Sequence, residues 1–267
     1  MFNFGQDVGI DLGTATVIVY LKGKGVVLQE PSVVAIDTNT GKVLKVGEEA
    51  QNMIGRTPGN IVAIRPLRDG VISDYDTTEK MIRYFLKKVC KSSFFKPRVM
   101  VCVPSQVTEV EERAVIQATL EAGARRVYLI EDPFAAGLGA NLDITGPNGK
   151  MVVDIGGGTT DVAVLSLNGL VVSNSLKVAG DTFDETIVRY IRRRQGVVVG
   201  INAAVEVKMT IGCVYPRAEE MTMSVKGRDS KTGLPKEIVI SASEIFEALR
   251  RPARQIVDEI LQVLEQT

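Results

Sequence analysis

The first 140 residues alternate short apolar segments with helical patterns. Residues 7–11 run apolar into Asp11, turn at Gly13 and continue with alternating apolar positions to residue 21, which predicts a β-hairpin. A third strand is expected over residues 26–36, where Pro31 indicates an edge strand or a bulge. The elements that follow are predicted as helix, strand, helix, strand and helix, at residues 77–90, 97–104, 108–123, 127–131 and from 133 onward.

Start signals mark these three helices. Asp76 is the candidate N-cap of the first helix. Thr108 and Glu111 have the spacing of a capping box for the second. Asp132 is the candidate cap of the third, with Pro133 at its first position.

The same order of elements begins again near residue 150. Strands are predicted over residues 150–155, 161–167 and 169–177, followed by a helix capped by Asp181. Two further strands, MTMSV and EIVIS, flank a polar loop, and helices are expected near 243–250 and at 252–266. Compared with the first half, the second half lacks its last strands. We therefore expect the apolar face of the final helix to be a surface for aggregation or for a partner.

Composition restricts the available chemistry. The 267 residues are 45% apolar, enough for one large or two medium globular units. Thirty-two basic residues balance 32 acidic ones, so no nucleic-acid partner is expected. The chain has no histidine, which excludes imidazole catalysis and imidazole metal ligands.

Cysteines and apolar runs indicate the compartment. Three scattered cysteines without CxxC spacing predict neither a disulfide framework nor a zinc site, and they fit a reducing cytosol. No apolar run approaches the ~20 residues of a membrane-spanning helix, and the first residues lack the features of a signal peptide. We therefore expect a cytoplasmic protein.

The repeated hairpin has the composition of an anion-binding loop. In GIDLGT and DIGGGTTD a strand ends in an aspartate, a glycine- and threonine-rich turn follows, and a second strand returns. Such a turn directs several backbone N–H groups into one concavity, and glycines remove the Cβ atoms that would keep the backbone from a phosphate. Two such hairpins on two lobes facing across a cleft would hold a polyphosphate chain, with Asp11 and Asp154 as oxygen ligands of Mg²⁺, directly or through water. The alternative is that each motif is only a tight hairpin turn.

Longer segments carry a resemblance to a known family. GIDLGT, DIGGGTTDVAV and AGDTFDETI resemble the phosphate motifs and following helix of the actin, Hsp70 and sugar-kinase ATPase superfamily. KGKGVVLQEPSVVAID, GEEAQNMIGRTPGNIVAIRPLRDGVI, VYLIEDP and KGRDSKTGLP resemble the MreB/Mbl family of bacterial actin-like, rod-shape-determining proteins. This second set is specific because one of its segments lies in an insertion with no obvious share in phosphate chemistry.

The resemblance implies a fold class and a division of the chain. The fold is expected to be α/β, an actin-like (ribonuclease H-like), duplicated, two-lobed ATPase fold whose second lobe is truncated at the C-terminus. The first lobe would comprise residues 1–32 and 66–145, with a small insertion at 33–65. The second would comprise residues 146–181 and 242–267, with an insertion at 182–241.

The resemblance also implies a function. Family members bind ATP with Mg²⁺, polymerise into filaments on the inner face of the cell membrane, and hydrolyse ATP slowly as polymers that organise cell-wall synthesis. The expected partners are further copies of the chain, the inner membrane surface and membrane proteins of the elongation machinery. ATP is the expected nucleotide and GTP is the alternative.

Site residues follow from the same matches. Glu131 matches the glutamate that orients the attacking water, with Asp154 as the second catalytic residue; the alternative for Glu131 is a charge at a helix N-terminus. The expected nucleotide contacts, with the last three near the sugar and base, are Gly13, Thr14, Thr16, Gly156, Gly157, Gly158, Thr159, Gly180, Asp181 and Lys208.

Three departures from the family pattern affect nucleotide binding. Thr16 stands where the family usually has asparagine, which keeps a polar group. GINAAV at residues 200–205 replaces the family's GERTAE and removes charged side chains near the nucleoside. The sequence ends at Thr267, before the second glycine-rich motif that closes over adenine in relatives. A divergent or truncated paralogue with impaired nucleotide binding is therefore an alternative.

A short aromatic and basic segment suggests membrane contact. Phe94 and Phe95 lie among lysines and an arginine in KSSFFKPR, and Phe2 and Phe4 lie near the N-terminus. Aromatic rings of this kind insert at the headgroup level while cations meet anionic lipid. The alternative is that the rings fold back onto the core.

Two other function classes of the same superfamily remain alternatives. A small-molecule kinase would need a polar substrate pocket between the lobes, and an Hsp70-like chaperone would need a separate peptide-binding domain.

Overall fold

The computed structural model describes residues 5–54, 59–90 and 95–267. The chain divides into two compact units, Met1–Lys177 with Gln266–Thr267, and Val178–Glu265. This division does not test the four-part boundaries expected from the sequence, which stay predictions.

In chain order the first unit contains β1 (Asp7–Leu12), β2 (Thr16–Leu21), β3 (Gly25–Pro31), β4 (Val34–Asp37), β5 (Lys42–Val46), α1 (Glu48–Gln51), β6 (Ile61–Ile64), β7 (Leu67–Arg68), β8 (Val71–Ile72), α2 (Tyr75–Val89), β9 (Arg98–Val103), α3 (Glu109–Glu121), β10 (Arg126–Glu131), α4 (Asp132–Gly139), β11 (Lys150–Ile155), β12 (Thr160–Ser166) and β13 (Gly169–Leu176). The second unit contains α5 (Gly180–Gln195), β14 (Val197–Val198), α6 (Ile201–Ile211), β15 (Thr222–Asp229), β16 (Pro235–Ser241) and α7 (Ala242–Glu265).

A five-stranded sheet in the order β10-β9-β1-β2-β3 forms the centre of the first unit. β1 pairs antiparallel with β2 and parallel with β9. Since side chains alternate between the two faces of a strand, Val8 and Ile10 are buried in the core with residues of α2 and α3, and Asp11 belongs to the opposite face. The predicted hairpin over residues 7–21 is confirmed.

A second sheet repeats this hairpin. β11, β12 and β13 pair antiparallel in sequence order, as β1, β2 and β3 do. Asp154 lies opposite Asp161, at the position where Asp11 lies opposite Ile18. The repeat predicted from the two aspartate-containing motifs is therefore present in the fold, and both copies belong to the first unit.

A small sheet lies in the segment between β3 and β7. Its order is β5-β4-β6, and its core consists of Val33, Ala35 and Ala50. β7 and β8 form a separate two-stranded hairpin, in which Leu67 is buried in the main core of the first unit.

The second unit packs three helices with the sheet β14-β15-β16. Its core includes Ile187 and Ile191 from α5, Ile211 from α6, and Ile245 and Leu249 from α7. The apolar stripe of α7 is only partly covered, because Val257, Leu261 and Leu264 are exposed while Ile256 and Val263 are buried.

Two helix starts test the capping signals. The carboxylate of Asp74, and not that of Asp76, caps α2 and accepts the N–H of Thr77 at 3.0 Å. Asp76 instead lies in the first turn, where a negative charge favours the helix dipole. For α3 the capping box of Thr108 and Glu111 is confirmed, with both reciprocal hydrogen bonds present.

Two further predicted caps are wrong. α4 begins at Asp132, so Glu131 holds the cap position. α5 begins at Gly180 after Ala179, and Asp181 lies in its first turn. Neither cap residue makes a side-chain hydrogen bond, so the helix starts are determined by the preceding strand and by tertiary packing.

The predicted break between residues 250 and 252 is also wrong. α7 runs without interruption from Ala242 to Glu265 and contains Pro252. Proline removes one helical hydrogen bond, but Pro252 is itself buried on the same face as Ala248 and Ile256. We infer that burial of this continuous apolar face offsets the cost of the proline.

Candidate functional site

Loop 1, residues 13–15, joins β1 to β2 and is held from behind by one serine. Ser32, fully buried, donates its hydroxyl to the Gly13 carbonyl at 2.5 Å and its N–H to the Ala15 carbonyl at 3.0 Å. A Cβ on Gly13 would lie 2.6 Å from the Thr16 carbonyl oxygen. Only glycine therefore fits this tight turn.

Loop 2, residues 156–159, joins β11 to β12 and touches loop 1. The N–H of Gly156 donates to the Thr159 carbonyl at 2.9 Å and closes the loop. A Cβ on Gly157 would lie 2.6 Å from the Cβ of Ala15, and a Cβ on Gly158 would lie 2.5 Å from the Thr14 hydroxyl oxygen. Gly157 and Gly158 are therefore needed because a side chain at either position would collide with loop 1. This requirement adds to the close approach of a ligand that the sequence predicts.

The two loops line one cavity of about 350 Å³. It contains seven of the predicted nucleotide-contact residues, namely Gly13, Thr14, Thr16, Gly156, Gly157, Gly158 and Thr159. Both predicted metal ligands, Asp11 and Asp154, line it as well. Its other lining residues are Leu12, Ala15, Ile18, Gln29, Gly70, Pro104, Asp132 and Asp161.

Negative charge dominates this cavity. Four aspartates line it, and neither lysine nor arginine is among the lining residues that the structure describes. Burial and then the charge of Asp154 raise the pKa of Asp11 to about 6. Burial and the charge of Asp161 raise the pKa of Asp154. Such a cavity binds a polyphosphate only together with a cation, because the carboxylates would otherwise repel it.

Asp132, rather than its neighbour Glu131, faces the cavity. Glu131 is the last residue of β10, pairs with Val103 and is not among the lining residues. Burial, followed by the charges of Asp11, Asp161, Asp154 and Glu131, raises the pKa of Asp132 to about 8. The sequence predicts Asp132 only as a helix cap, and the structure gives it a place in the cavity.

The donor set fits a magnesium ion that is shared with a ligand. Among the described residues, no group of three or more cysteine, aspartate or glutamate side chains is arranged to hold a metal alone. Mg²⁺ in phosphate sites is usually held by one or two carboxylates, by water and by the phosphates themselves. Asp11 and Asp154 match that pattern.

The residues expected near the sugar and base lie in the second unit. Gly180 and Asp181 begin α5, and Lys208 lies on α6. The Lys208 ammonium is 2.8 Å from the buried Asp184 carboxylate and donates to the Gly180 carbonyl at 3.2 Å. This cation therefore already has partners inside its own unit.

Three of the lining residues that the sequence did not assign to the site bear on its chemistry, namely Gly70, Asp132 and Asp161. Gly70 comes from the β7–β8 turn, which lies outside both phosphate motifs. Asp161 lies opposite Asp154, is 2% exposed and accepts the N–H of Ser105 at 3.2 Å. For Asp161 a signal was present, since DIGGGTTD contains a second aspartate on the returning strand. Gly70 and Asp132 had no comparable signal.

The predicted membrane segment is only partly described. Phe2, Phe4 and Phe94 lie outside the described residues. Phe95 is 44% exposed, so its ring does not fold fully into the core. None of the helices in the described ranges has the length and apolarity needed to cross a membrane.

Known proteins match almost the whole chain. The family model for MreB/Mbl proteins matches residues 5–267. The cell shape-determining protein Mbl of Bacillus cereus is 52% identical over 265 residues, which cover 99% of this chain and 80% of that protein. The cell shape-determining protein MreB of Escherichia coli K12 is 49% identical over 269 residues, covering 98% of this chain and 78% of that protein.

A solved structure also matches the chain over its whole length. The crystal structure of MreB5 of Spiroplasma citri bound to AMPPNP superposes with a TM-score of 0.93 at 38% identity, and covers all of this chain and 80% of that one. The aspartate-glycine hairpins, their repeat and these similarities agree. The chain therefore belongs to the MreB/Mbl family and has its actin-like α/β fold.

Proposed function

We propose that this chain is an ATP-binding, Mg²⁺-dependent subunit of actin-like filaments that lie on the inner face of the cell membrane and determine rod shape by organising cell-wall synthesis. The observation that carries the nucleotide part is the single cavity lined by both aspartate-glycine hairpins. Family membership supports the remainder, since the Mbl and MreB relatives are named as cell shape-determining proteins. The S. citri structure, which contains a nucleotide analogue, supports nucleotide binding.

The cavity suits a triphosphate for a chemical reason. Loops 1 and 2 supply backbone N–H groups and threonine hydroxyls, which are donors to anionic oxygens. Asp11 and Asp154 would hold Mg²⁺ directly or through water, and the bound ion would supply the positive charge that the lining lacks. We propose ATP as the nucleotide, and competition with GTP tests that choice.

For hydrolysis we propose that Asp132 orients the attacking water. Its carboxyl lines the cavity, whereas Glu131, the residue favoured by the sequence, does not. In phosphoryl transfer a carboxylate of this kind contributes mainly by positioning the nucleophile. Slow turnover coupled to polymerisation is the expected activity, and Gly180, Asp181 and Lys208 stay predicted contacts to the nucleoside.

The membrane part of the proposal rests on an exposed aromatic ring beside a lysine. Phe95 is exposed and is followed by Lys96, a pairing that suits an anionic lipid surface. One such segment binds weakly, but repetition along a filament adds avidity. Membrane proteins of the elongation machinery are proposed partners on family grounds alone.

The proposal is tested by co-sedimentation of the chain with anionic lipid vesicles, with and without MgATP. We expect ATP to increase the pelleted fraction, and Asp154→Ala to abolish that increase because a magnesium ligand is lost. Asp76→Ala is the matched control, since this exposed aspartate lies in the first turn of α2 and away from the cavity. The proposal would be contradicted if the pelleted fraction did not depend on nucleotide, or if the Asp154→Ala variant kept the ATP-dependent increase.

A further inference from the structure

The hairpin of β7 and β8 ends at the phosphate cavity. Its two-residue turn, Asp69–Gly70, has positive φ at both positions, 50° and 78°. That conformation is the one required at both central positions of a type I′ turn, for which Asp-Gly is a preferred sequence. Gly70 lines the cavity alongside loops 1 and 2.

The turn is firmly anchored on its far side. Leu67 is buried in the main core of the first unit. The carbonyl of Pro66 accepts N–H groups from Ser73 at 2.9 Å and from Asp74 at 3.1 Å, immediately before α2. The hydroxyl of Ser73 donates to the same carbonyl at 2.9 Å. A turn held in this way presents its backbone at a fixed place.

One hydrogen bond joins the turn to loop 1. The N–H of Gly70 donates to the hydroxyl oxygen of Thr14 at 2.9 Å. Thr14 is 5% exposed and lines the cavity. Because its oxygen already accepts this bond, its hydroxyl proton is left to donate, and no acceptor in the described part of the chain receives it. A bound phosphate oxygen in the cavity is the natural acceptor.

Close contacts join the turn to loop 2. A Cβ on Gly158 would lie 3.0 Å from the Cα of Asp69, and a Cβ on Gly70 would lie 3.1 Å from the Cγ2 of Thr159. The same Cβ on Gly70 would lie 2.6 Å from the Cγ of Pro104. The turn is thus packed between Thr14, loop 2 and the end of β9, with no room for a side chain at position 70.

We propose that the Asp69–Gly70 turn is a positioning element of the phosphate site. It fixes the Thr14 hydroxyl as a donor to a bound phosphate, and its backbone holds loop 2 at contact distance from loop 1. This inference rests on the proposed nucleotide function and adds an element from a segment outside both phosphate motifs. Gly70 acts through Thr14, since its own N–H is already used.

The first test compares Gly70→Ala with Gly41→Ala in MgATP titration of the full chain. Both glycines have positive φ, 78° and 65°, so both substitutions strain the backbone. A Cβ on Gly41 meets nothing within 4 Å, whereas a Cβ on Gly70 meets Pro104 and Thr159. We expect Gly70→Ala to weaken MgATP binding about tenfold or more, because the displaced turn would no longer hold the Thr14 hydroxyl in place to donate to the charged phosphate. Gly41→Ala should change the affinity less than about twofold.

The second test begins with two Thr14 variants, whose comparison does not depend on the folding of Gly70→Ala. Thr14→Val removes the hydroxyl at nearly constant shape, and Thr14→Ser retains it. We expect Thr14→Val to weaken MgATP binding about tenfold and Thr14→Ser to recover most of that loss. The double variant Gly70→Ala/Thr14→Val should bind no more weakly than the weaker single variant, because both changes remove one interaction.

The outcomes separate this inference from the proposed function. If the unaltered chain does not bind MgATP, the proposed function fails and the inference fails with it. If it binds and Gly70→Ala matches Gly41→Ala, only the role of the turn is wrong. Equal affinities for Thr14→Val and Thr14→Ser, or additive losses in the double variant, would likewise overturn the role of the turn and leave nucleotide binding in place.

Discussion

Asp132 shows how the environment of a single residue determines its behaviour. Burial and the charges of Asp11, Asp161, Asp154 and Glu131 raise its pKa to about 8, while burial and Asp154 raise that of Asp11 to about 6. Both carboxyls therefore stay protonated to a higher pH in the folded, ligand-free chain than in the unfolded chain. In the unfolded chain each would titrate near the ordinary aspartate pKa, about 4.

A pH dependence of stability follows from these directions. Between about pH 4 and pH 8 the folded chain binds more protons than the unfolded chain, so the free energy of unfolding falls as pH rises. Asp132→Asn removes the largest part of this effect. At pH 8 we expect it to raise the free energy of unfolding by about 1 kcal/mol or more, and to flatten the fall between pH 5 and pH 8.

Thermal unfolding of the ligand-free chain across that pH range measures the effect. Asp76→Asn is the control, because the side chain is exposed and lies outside the cavity. An Asp132→Asn curve parallel to that of the unaltered chain would show that Asp132 is ionised throughout, contrary to its position in the cavity.

At the scale of residues, the sequence identified the loops that line the cavity, but it did not distinguish Asp132, which lines the cavity, from Glu131, which is not among the lining residues; the roles of these residues stay predictions. The residues of loops 1 and 2 that were predicted to contact phosphate all line the cavity. They could be identified because the spacing of glycine, threonine and aspartate within each motif is visible in the sequence alone. The distinction between Glu131 and Asp132 depends on which side chain faces the cavity at the end of β10. That direction is determined by the junction of β10 and α4, which composition does not reveal.

At the scale of elements, the pair Lys208–Asp184 joins α6 to α5. The Asp184 side chain is 5% exposed and its carboxylate lies 2.8 Å from the Lys208 ammonium. Removing the lysine would leave a buried carboxylate without its cation, which is far more costly than breaking a surface ion pair.

We therefore expect Lys208→Ala to lower the free energy of unfolding by about 3 kcal/mol. Arg254→Ala is the matched control, since its ion pair with Asp258 within α7 is exposed and worth less than about 0.5 kcal/mol. Urea denaturation monitored by circular dichroism gives both values. A Lys208→Ala loss no larger than that of Arg254→Ala would mean that Asp184 does not need this lysine.

Element prediction was strongest where the signal was periodic and weakest at boundaries. The repeated hairpins and the Thr108 capping box were predicted correctly from local spacing. α7 was divided at Pro252 because proline usually ends a helix, but continuous burial along one face keeps the helix whole. The turn at Asp69–Gly70 was recognisable as a turn, but its place beside Thr14, more than 50 positions away in sequence, depends on tertiary structure.

For the whole molecule, duplication and family membership together account for the fold. The first unit contains two copies of one hairpin, and their loops meet in a cavity lined by four aspartates. The chain belongs to the MreB/Mbl family, and the proposed function assigns MgATP binding to this cavity. Because the described lining offers neither lysine nor arginine, the bound cation is expected to carry most of the favourable charge.

The central claim is that the two hairpins jointly bind a nucleotide through Mg²⁺, and isothermal titration of ATP into the chain tests it most directly. We expect binding in the presence of Mg²⁺ and an affinity weaker by about two orders of magnitude in excess EDTA, equivalent to about 2.7 kcal/mol. The absence of binding in Mg²⁺, or equal affinity with and without the ion, would contradict the account.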